Sequence, residues 1–137
     1  MNEFDLINTP IIGNNIIEAS AGTGKTYSIE GLYIRALLNP FIEKAATDKA
    51  SEISVENILV VTYTEAATAE LRIRIQEKIR SVIKGFRLLQ KISTKNQLSL
   101  SDATATDGFK TVRDPFVKQL VLKVTQLSSN WSDPAAN

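Results

Sequence analysis

Cysteine and histidine are both absent from the 137 residues. Their absence excludes a disulfide framework, a Cys/His zinc site and any nucleophile system built on a thiol or an imidazole. An excess of one charge is missing too: 16 Lys and Arg stand against 15 Asp and Glu, a formal net charge of +1. Global charge therefore does not argue for a nucleic-acid partner, and any such argument rests on local clustering. No apolar run approaches the ~20 residues that a membrane-spanning helix needs. The start, Met1-Asn2-Glu3-Phe4-Asp5, is acidic and lacks the apolar core of a signal peptide. A soluble, cytoplasmic protein is expected. The length suits one domain, 43% hydrophobic residues can bury a core, and no internal repeat is visible.

What is present is concentrated in Ala19-Ser20-Ala21-Gly22-Thr23-Gly24-Lys25-Thr26. It follows the apolar pair Ile16-Ile17 and opens a helical pattern. A phosphate chain needs converging backbone N–H groups, a cation and a ligand for Mg²⁺. A Gly-rich turn between a strand and a helix start supplies the first, because only small residues let the backbone wrap an anion. The helix end adds partial positive charge. Lys25 reaches the β- and γ-phosphates and the Thr26 hydroxyl ligates the metal. This is the P-loop pattern with Ala19 in place of its first glycine. It makes Ala19 to Thr26 the candidate ATP-binding residues, Lys25 and Thr26 the catalytic pair, and Thr26 the Mg²⁺ ligand. The competing reading is a chance strand-turn-helix containing Gly-Lys-Thr.

Along the chain, Pro10 and Gly13-Asn14-Asn15 precede a strand over residues 15–19. A helix over 25–38 places Ile29, Leu32, Tyr33, Ala36 and Leu37 on one buried face, and Asn39-Pro40 ends it. Residues 41–56 fit a short helical turn or a surface loop. Residues 57–62 are apolar without alternation, as a strand covered on both faces would be. Strand, P-loop, helix and second strand make a βαβ unit, so the expected fold is α/β with a parallel sheet and flanking helices. A long helix over 65–89 buries Leu71, Ile75, Ile79, Val82, Phe86 and Leu89, with Thr62 and Glu65 as a capping box. Its opposite face carries Arg72, Arg74, Lys78, Arg80, Lys84, Arg87 and Lys91, which reads either as a solvated face or as a nucleic-acid surface. Residues 92–109, rich in Ser, Thr, Asp and Asn, read as a loop or disordered linker. Asp114-Pro115 looks like a cap with Pro in the first turn, followed by a helix with a stripe of Phe116, Leu120, Val124 and Leu127. Residues 128–137 read as a polar tail with an exposed Trp131.

Two blocks together resemble a family. Ile16-Ile17-Glu18-Ala19-Ser20-Ala21-Gly22-Thr23-Gly24-Lys25-Thr26 is similar to the first motif of superfamily 1 DNA helicases. Val60-Val61-Thr62-Tyr63-Thr64-Glu65-Ala66-Ala67-Thr68-Ala69-Glu70-Leu71-Arg72 is similar to their motif Ia. Most of the UvrD-like group carries Asn-Lys where Glu65-Ala66 stands, and the form seen here most resembles the RecB family of helicase-nucleases. The resemblance covers roughly residues 4–90. It implies a RecA-like P-loop motor with ATP and Mg²⁺ as cofactors. It also implies a DNA track lined by Thr62, Tyr63 and Thr64, with Arg72 on the helix beyond. Tyr63 then either stacks on a base or packs as a partly buried aromatic. The resemblance further implies a longer protein that unwinds and degrades duplex DNA ends in recombinational repair, alongside RecC-like and RecD-like subunits. In that scheme residues 1–91 are the N-terminal part of the motor domain. Residues 92–137 are a linker plus helix that begin an inserted helical subdomain.

Some family features are not in this sequence. Helicases of this group often carry a Gln before the first strand, where it reads adenine. The neighbourhood here is Pro10-Ile11-Ile12-Gly13, so the resemblance does not extend to adenine selectivity. No apolar strand ends in Asp-Glu, and there is no arginine finger, second motor domain or nuclease carboxylate cluster. Phosphoryl transfer is catalysed by positioning and charge, so the chain by itself is expected to bind a nucleotide and hydrolyse it poorly. Two other classes stay open: a small kinase-like P-loop protein, and a nucleotide-binding module that has lost its chemistry.

Overall fold

The computed structural model describes residues 4–20, 24–43 and 53–127. Among them the regular structure is helical and no strand is present. Six α-helices follow in order: α1 Lys25–Leu37, α2 Asn39–Glu43, α3 Glu65–Asn96, α4 Leu100–Ala105, α5 Asp107–Lys110 and α6 Pro115–Leu127. A 3₁₀ turn, Val55–Asn57, lies between α2 and α3.

This overturns the α/β expectation of a parallel P-loop sheet with flanking helices. Residues 15–19 and 58–62 carry no helix and no ladder, although Ile58 is extended at φ −107°, ψ 118°. An apolar run signals burial, but a strand also needs a neighbour to take its N–H and C=O groups. These segments do not pair with one another; Ile16, Leu59 and Val61 face outward at 91%, 87% and 77% exposed, while Ile58 and Val60 are half-buried.

α3 is the spine, with α1, α4, α5 and α6 packed against it. It starts at Thr64, whose side chain accepts from the Ala67 N–H at 3.1 Å, so the cap is Thr64 and not the expected Thr62–Glu65 box. It runs past Leu89 to Asn96 and stops at Gln97, in the left-handed region at φ 52°. Its buried stripe is Leu71, Ile75, Lys78, Val82, Gly85, Leu89 and Ser93. Ile79 and Phe86, expected in that stripe, pack half-buried beside it.

The segment 92–109 is not a loop. Its polar residues are caps: the Ser99 hydroxyl accepts from the Asp102 N–H at 3.1 Å to start α4, and Thr106 accepts from Phe109 to start α5. Between the caps, Leu100, Ala103 and Phe109 are buried. Asn39-Pro40 does end α1, but the chain continues as α2, with Pro40 in the first turn where its missing N–H costs nothing. The reading of 41–56 is therefore part helix (to Glu43) and part 3₁₀ turn, with residues 44–52 outside those described. The tail 128–137 with Trp131 also lies outside them.

α6 follows the sequence closely. Asp114 Oδ1 accepts from the Phe116 N–H at 2.9 Å and from Val117 at 3.4 Å, capping the helix before Pro115. Phe116, Val117, Leu120, Val121 and Val124 are buried, while Leu127 is 43% exposed and drops out of the stripe. The core joins these residues to Val82 and Leu89 of α3, Ile34 of α1, Ile42 of α2, and Ile7 from the N-terminal segment. Arg35, buried in α1, ties that segment down by donating from Nε to the Ile7 carbonyl at 2.9 Å.

Candidate nucleotide and nucleic-acid site

Gly24 opens α1 at φ 89°, ψ 29°, a left-handed conformation that a side chain would strain. Its carbonyl accepts the first helical bond, from the Ser28 N–H at 2.9 Å. Lys25 and Thr26 are the first two helical residues and both are exposed. Among the described residues no side chain caps this helix start, and no acid occupies its first turn. Of the other expected nucleotide residues, Ala19 is half-buried and Ser20 exposed, and Ala21, Gly22 and Thr23 lie outside the described residues.

Immediately after Thr26 the helix is anchored. The Tyr27 hydroxyl donates to Asp114 Oδ1 at 2.6 Å. Its ring meets Phe116 edge-on, with centroids 6.5 Å apart at 77°. The Lys78 ammonium lies 4.2 Å from the Tyr27 ring centroid and donates to Asp114 Oδ2. Lys78 also faces Glu30 Oε2 at 3.5 Å, and Arg74 bridges Glu30 at 3.6 Å and Glu70 at 2.9 Å. Burial, then the hydrogen bond to Asp114, pushes the Tyr27 phenol up to about 12. Burial by itself would raise Asp114, but bonds from Lys78 and Tyr27 hold it below the usual carboxylate value. Glu30, Tyr27, Lys78 and Asp114 thus join α1, α3 and the start of α6 in one polar cluster.

Thr62, Tyr63 and Thr64 lead directly into α3. The Thr62 hydroxyl donates to the Thr64 carbonyl at 3.1 Å and lies 2.6 Å from the Thr68 hydroxyl. Tyr63 is wholly exposed, 107%, so it is not a partly buried core aromatic. Arg72 is exposed on the second turn of α3. The expected basic face divides: Lys78 is only 8% exposed and belongs to the buried cluster, and Arg74 is held by two carboxylates. Arg80, Lys84, Arg87 and Lys91 remain, flanking a shallow groove floored by Ile83 and Leu88.

Tyr27, Glu30 and Asp114 carried no functional reading from the sequence, and Lys78 was assigned to the wrong face. A signal was available: Lys78 sits at the register of Leu71, Ile75 and Val82, where a cation is buried only with partners. No group of three or more His, Cys, Asp or Glu able to hold a metal occurs among the described residues.

Comparison with known families sets the class of the chain. Residues 3–132 match the UvrD/REP helicase N-terminal domain, and the chain belongs to that family. It is 50% identical over 79 residues to the RecBCD enzyme subunit RecB of Escherichia coli (strain K12), covering 58% of this chain and 6% of that protein. It is 35% identical over 126 residues to the RecB subunit of Chlamydia trachomatis serovar D, covering 90% and 10%. With the RecB subunit of Buchnera aphidicola subsp. Acyrthosiphon pisum it shares 35% over 130 residues, covering 95% and 10%. The chain therefore spans about a tenth or less of the length of these relatives. No solved structure matches it.

Proposed function

We propose that this chain is the ATP-binding N-terminal portion of a RecB-like, ATP-dependent DNA helicase and exonuclease subunit. The observation that carries the reading is the start of α1: Gly24 in the left-handed region, then exposed Lys25 and Thr26, with no cap from the described residues and no acid in the first turn. Family membership and likeness to RecB subunits support it. The donor set fits a magnesium nucleotide. Amides of the first turn and the Lys25 ammonium take phosphate oxygens. The Thr26 hydroxyl supplies one oxygen to a Mg²⁺ that otherwise keeps phosphate and water ligands. The bound nucleotide supplies the free energy for movement along DNA.

In this reading residues 1–91 serve the motor and 92–137 begin an inserted helical part, with α3 running through the junction. Thr62, Tyr63, Thr64 and Arg72 serve single-stranded DNA. The relatives are named as subunits of a RecBCD enzyme, so RecC-like and RecD-like subunits are the proposed partners, in the cytoplasm, in DNA repair and recombination. No described helix is long and apolar enough to cross a membrane.

Titration with a fluorescent ATP analogue and Mg²⁺ tests the nucleotide site. Wild type binds, and Lys25→Ala loses most of the affinity because it removes the cation of the loop. Equal affinity for both would sink the assignment. The 137-residue chain alone turns over little ATP with or without DNA, because it lacks an acid to orient water and an arginine finger.

A further inference from the structure

The helix start that carries Lys25 and Thr26 takes no side-chain cap from the described residues. Lys25 and Thr26 both face solvent, and a helix's first turn frays unless something holds it. The next residue does hold it. Tyr27 bonds Asp114 at 2.6 Å, sets its ring edge-on to Phe116, and offers its face to Lys78 at 4.2 Å. Three residues, from α3 and the start of α6, grip one side chain, one residue beyond Thr26.

We propose that Tyr27 is a positioning residue for the nucleotide site, holding the first turn of α1 through Asp114 and so making the site sensitive to the start of α6; this rests on reading Gly24-Lys25-Thr26 as phosphate-binding. Asp114 has two duties. The same Oδ1 that accepts from Tyr27 caps α6 through the Phe116 and Val117 amides. Its other oxygen takes the Lys78 ammonium, and Lys78 is in turn paired with Glu30 one turn further along α1. A shift of the α5–α6 junction moves Asp114, and Tyr27 transmits it to Lys25 and Thr26. Coupling of this kind is reciprocal: a nucleotide that orders the first turn of α1 also firms the α6 cap. The phenol, raised to about 12, stays a donor throughout the neutral range, so the link is set by geometry and not by titration of Tyr27.

The test uses the full chain and a fluorescent ATP analogue with Mg²⁺, comparing wild type, Tyr27→Phe, Lys25→Ala and Val124→Ala. Tyr27→Phe keeps the ring on Phe116 and under Lys78 and removes only the hydroxyl. It weakens binding about tenfold, the scale of one hydrogen bond to a charged acceptor. Val124→Ala, a core cavity in α6 ten residues beyond Asp114, lowers the Tm at least as much and leaves affinity unchanged. Hydrogen exchange gives a second readout. Nucleotide slows exchange of the Phe116 and Val117 amides in wild type and fails to do so in Tyr27→Phe. Equal affinity of Tyr27→Phe and wild type overturns the positioning role while the nucleotide site stands. Equal weakening in Val124→Ala overturns it as a mere stability effect. Wild type that binds no better than Lys25→Ala removes the nucleotide reading itself, and the positioning role with it.

Discussion

The Lys78 ammonium lies 3.5 Å from Glu30 Oε2, with side chains only 9% and 6% exposed. Two charges out of water are tolerable only with good partners, because desolvation costs several kcal/mol per ion. Lys78 has them in Glu30, Asp114 and the face of Tyr27. Glu30 is less complete. Its Oε1 is buried without a hydrogen bond, and Arg74 at 3.6 Å gives it attraction but not a bond. Lys78→Ala strands Glu30 and Asp114 together and lowers stability by about 3–5 kcal/mol. Glu30→Gln removes one charge and leaves the Lys78–Asp114 pair, so it costs distinctly less. Urea unfolding of the two variants checks the order, and a Lys78→Ala loss near zero would show that the cluster adds nothing.

Acid acts on the same cluster through Asp114. Its carboxyl is held below the model-peptide value of 3.8 in the fold. A depressed carboxylate contributes stability that is present in full above its unfolded value and is lost as pH falls through its folded value. The stability advantage of wild type over Asp114→Asn is therefore constant at neutral pH and shrinks below about pH 5. Asp5, lowered by hydrogen bonds from Asn8, acts in the same direction from the exposed N-terminal turn. Unfolding free energies measured across the acid range check this. An advantage that grows on acidification would reverse the assigned sign.

Packing of α6 on α3 turns on Gly85. A Cβ built there meets Val121 Cγ2 at 3.0 Å and Val117 Cγ1 at 3.5 Å. Gly85→Ala gains about 0.5–1 kcal/mol of helix propensity and spends it on moving Val121, so the net change is small. Gly85→Leu overpacks the contact and costs about 1–3 kcal/mol. Thermal melts of the two separate propensity from fit: a Leu variant as stable as Ala would mean that α6 is free to shift on α3.

These side chains show where sequence and structure part. Asp114-Pro115 announced the α6 cap, and Gly24-Lys25-Thr26 announced the start of α1, because caps and helix starts are set by residues next to each other in the chain. Residues 15–19 and 57–62 read as strands because apolarity is local, whereas pairing depends on neighbours the local sequence does not specify. Residues 92–109 read as a loop because Ser99 and Thr106 are loop-like by composition, and their role as caps appears only once Leu100, Ala103 and Phe109 have a surface to bury against. Lys78 reads as part of the outer basic face, solvated or nucleic-acid binding, because its partners, Glu30 and Asp114, are far away in sequence. The comparisons bear out the family resemblance of the two motif blocks. The roles of Lys25, Thr26, Tyr63 and Arg72 rest on the proposal above.

The DNA reading separates into two measurable effects at the start of α3. Tyr63 is fully exposed and Thr62 and Thr64 on either side are held by hydrogen bonds around the Thr64 cap, so its ring is presented on a fixed support. Tyr63→Ala removes a stacking surface worth about 1–3 kcal/mol per base and leaves the salt dependence of single-strand binding nearly unchanged. Since Tyr63 buries nothing in the fold, the same substitution leaves the Tm within the small range of surface changes. Arg72→Ala behaves differently. If Arg72 meets a phosphate, its loss weakens binding to all sequences alike and lowers the slope of log K against log salt by about 0.7 for a single strand. Affinity measured at several salt concentrations for wild type and both variants, with the Tm of each, resolves the two terms. A Tyr63→Ala chain that melts like wild type and binds single strands as tightly would withdraw the DNA role of Tyr63 and leave the proposals for Arg72 and for the nucleotide site to their own tests.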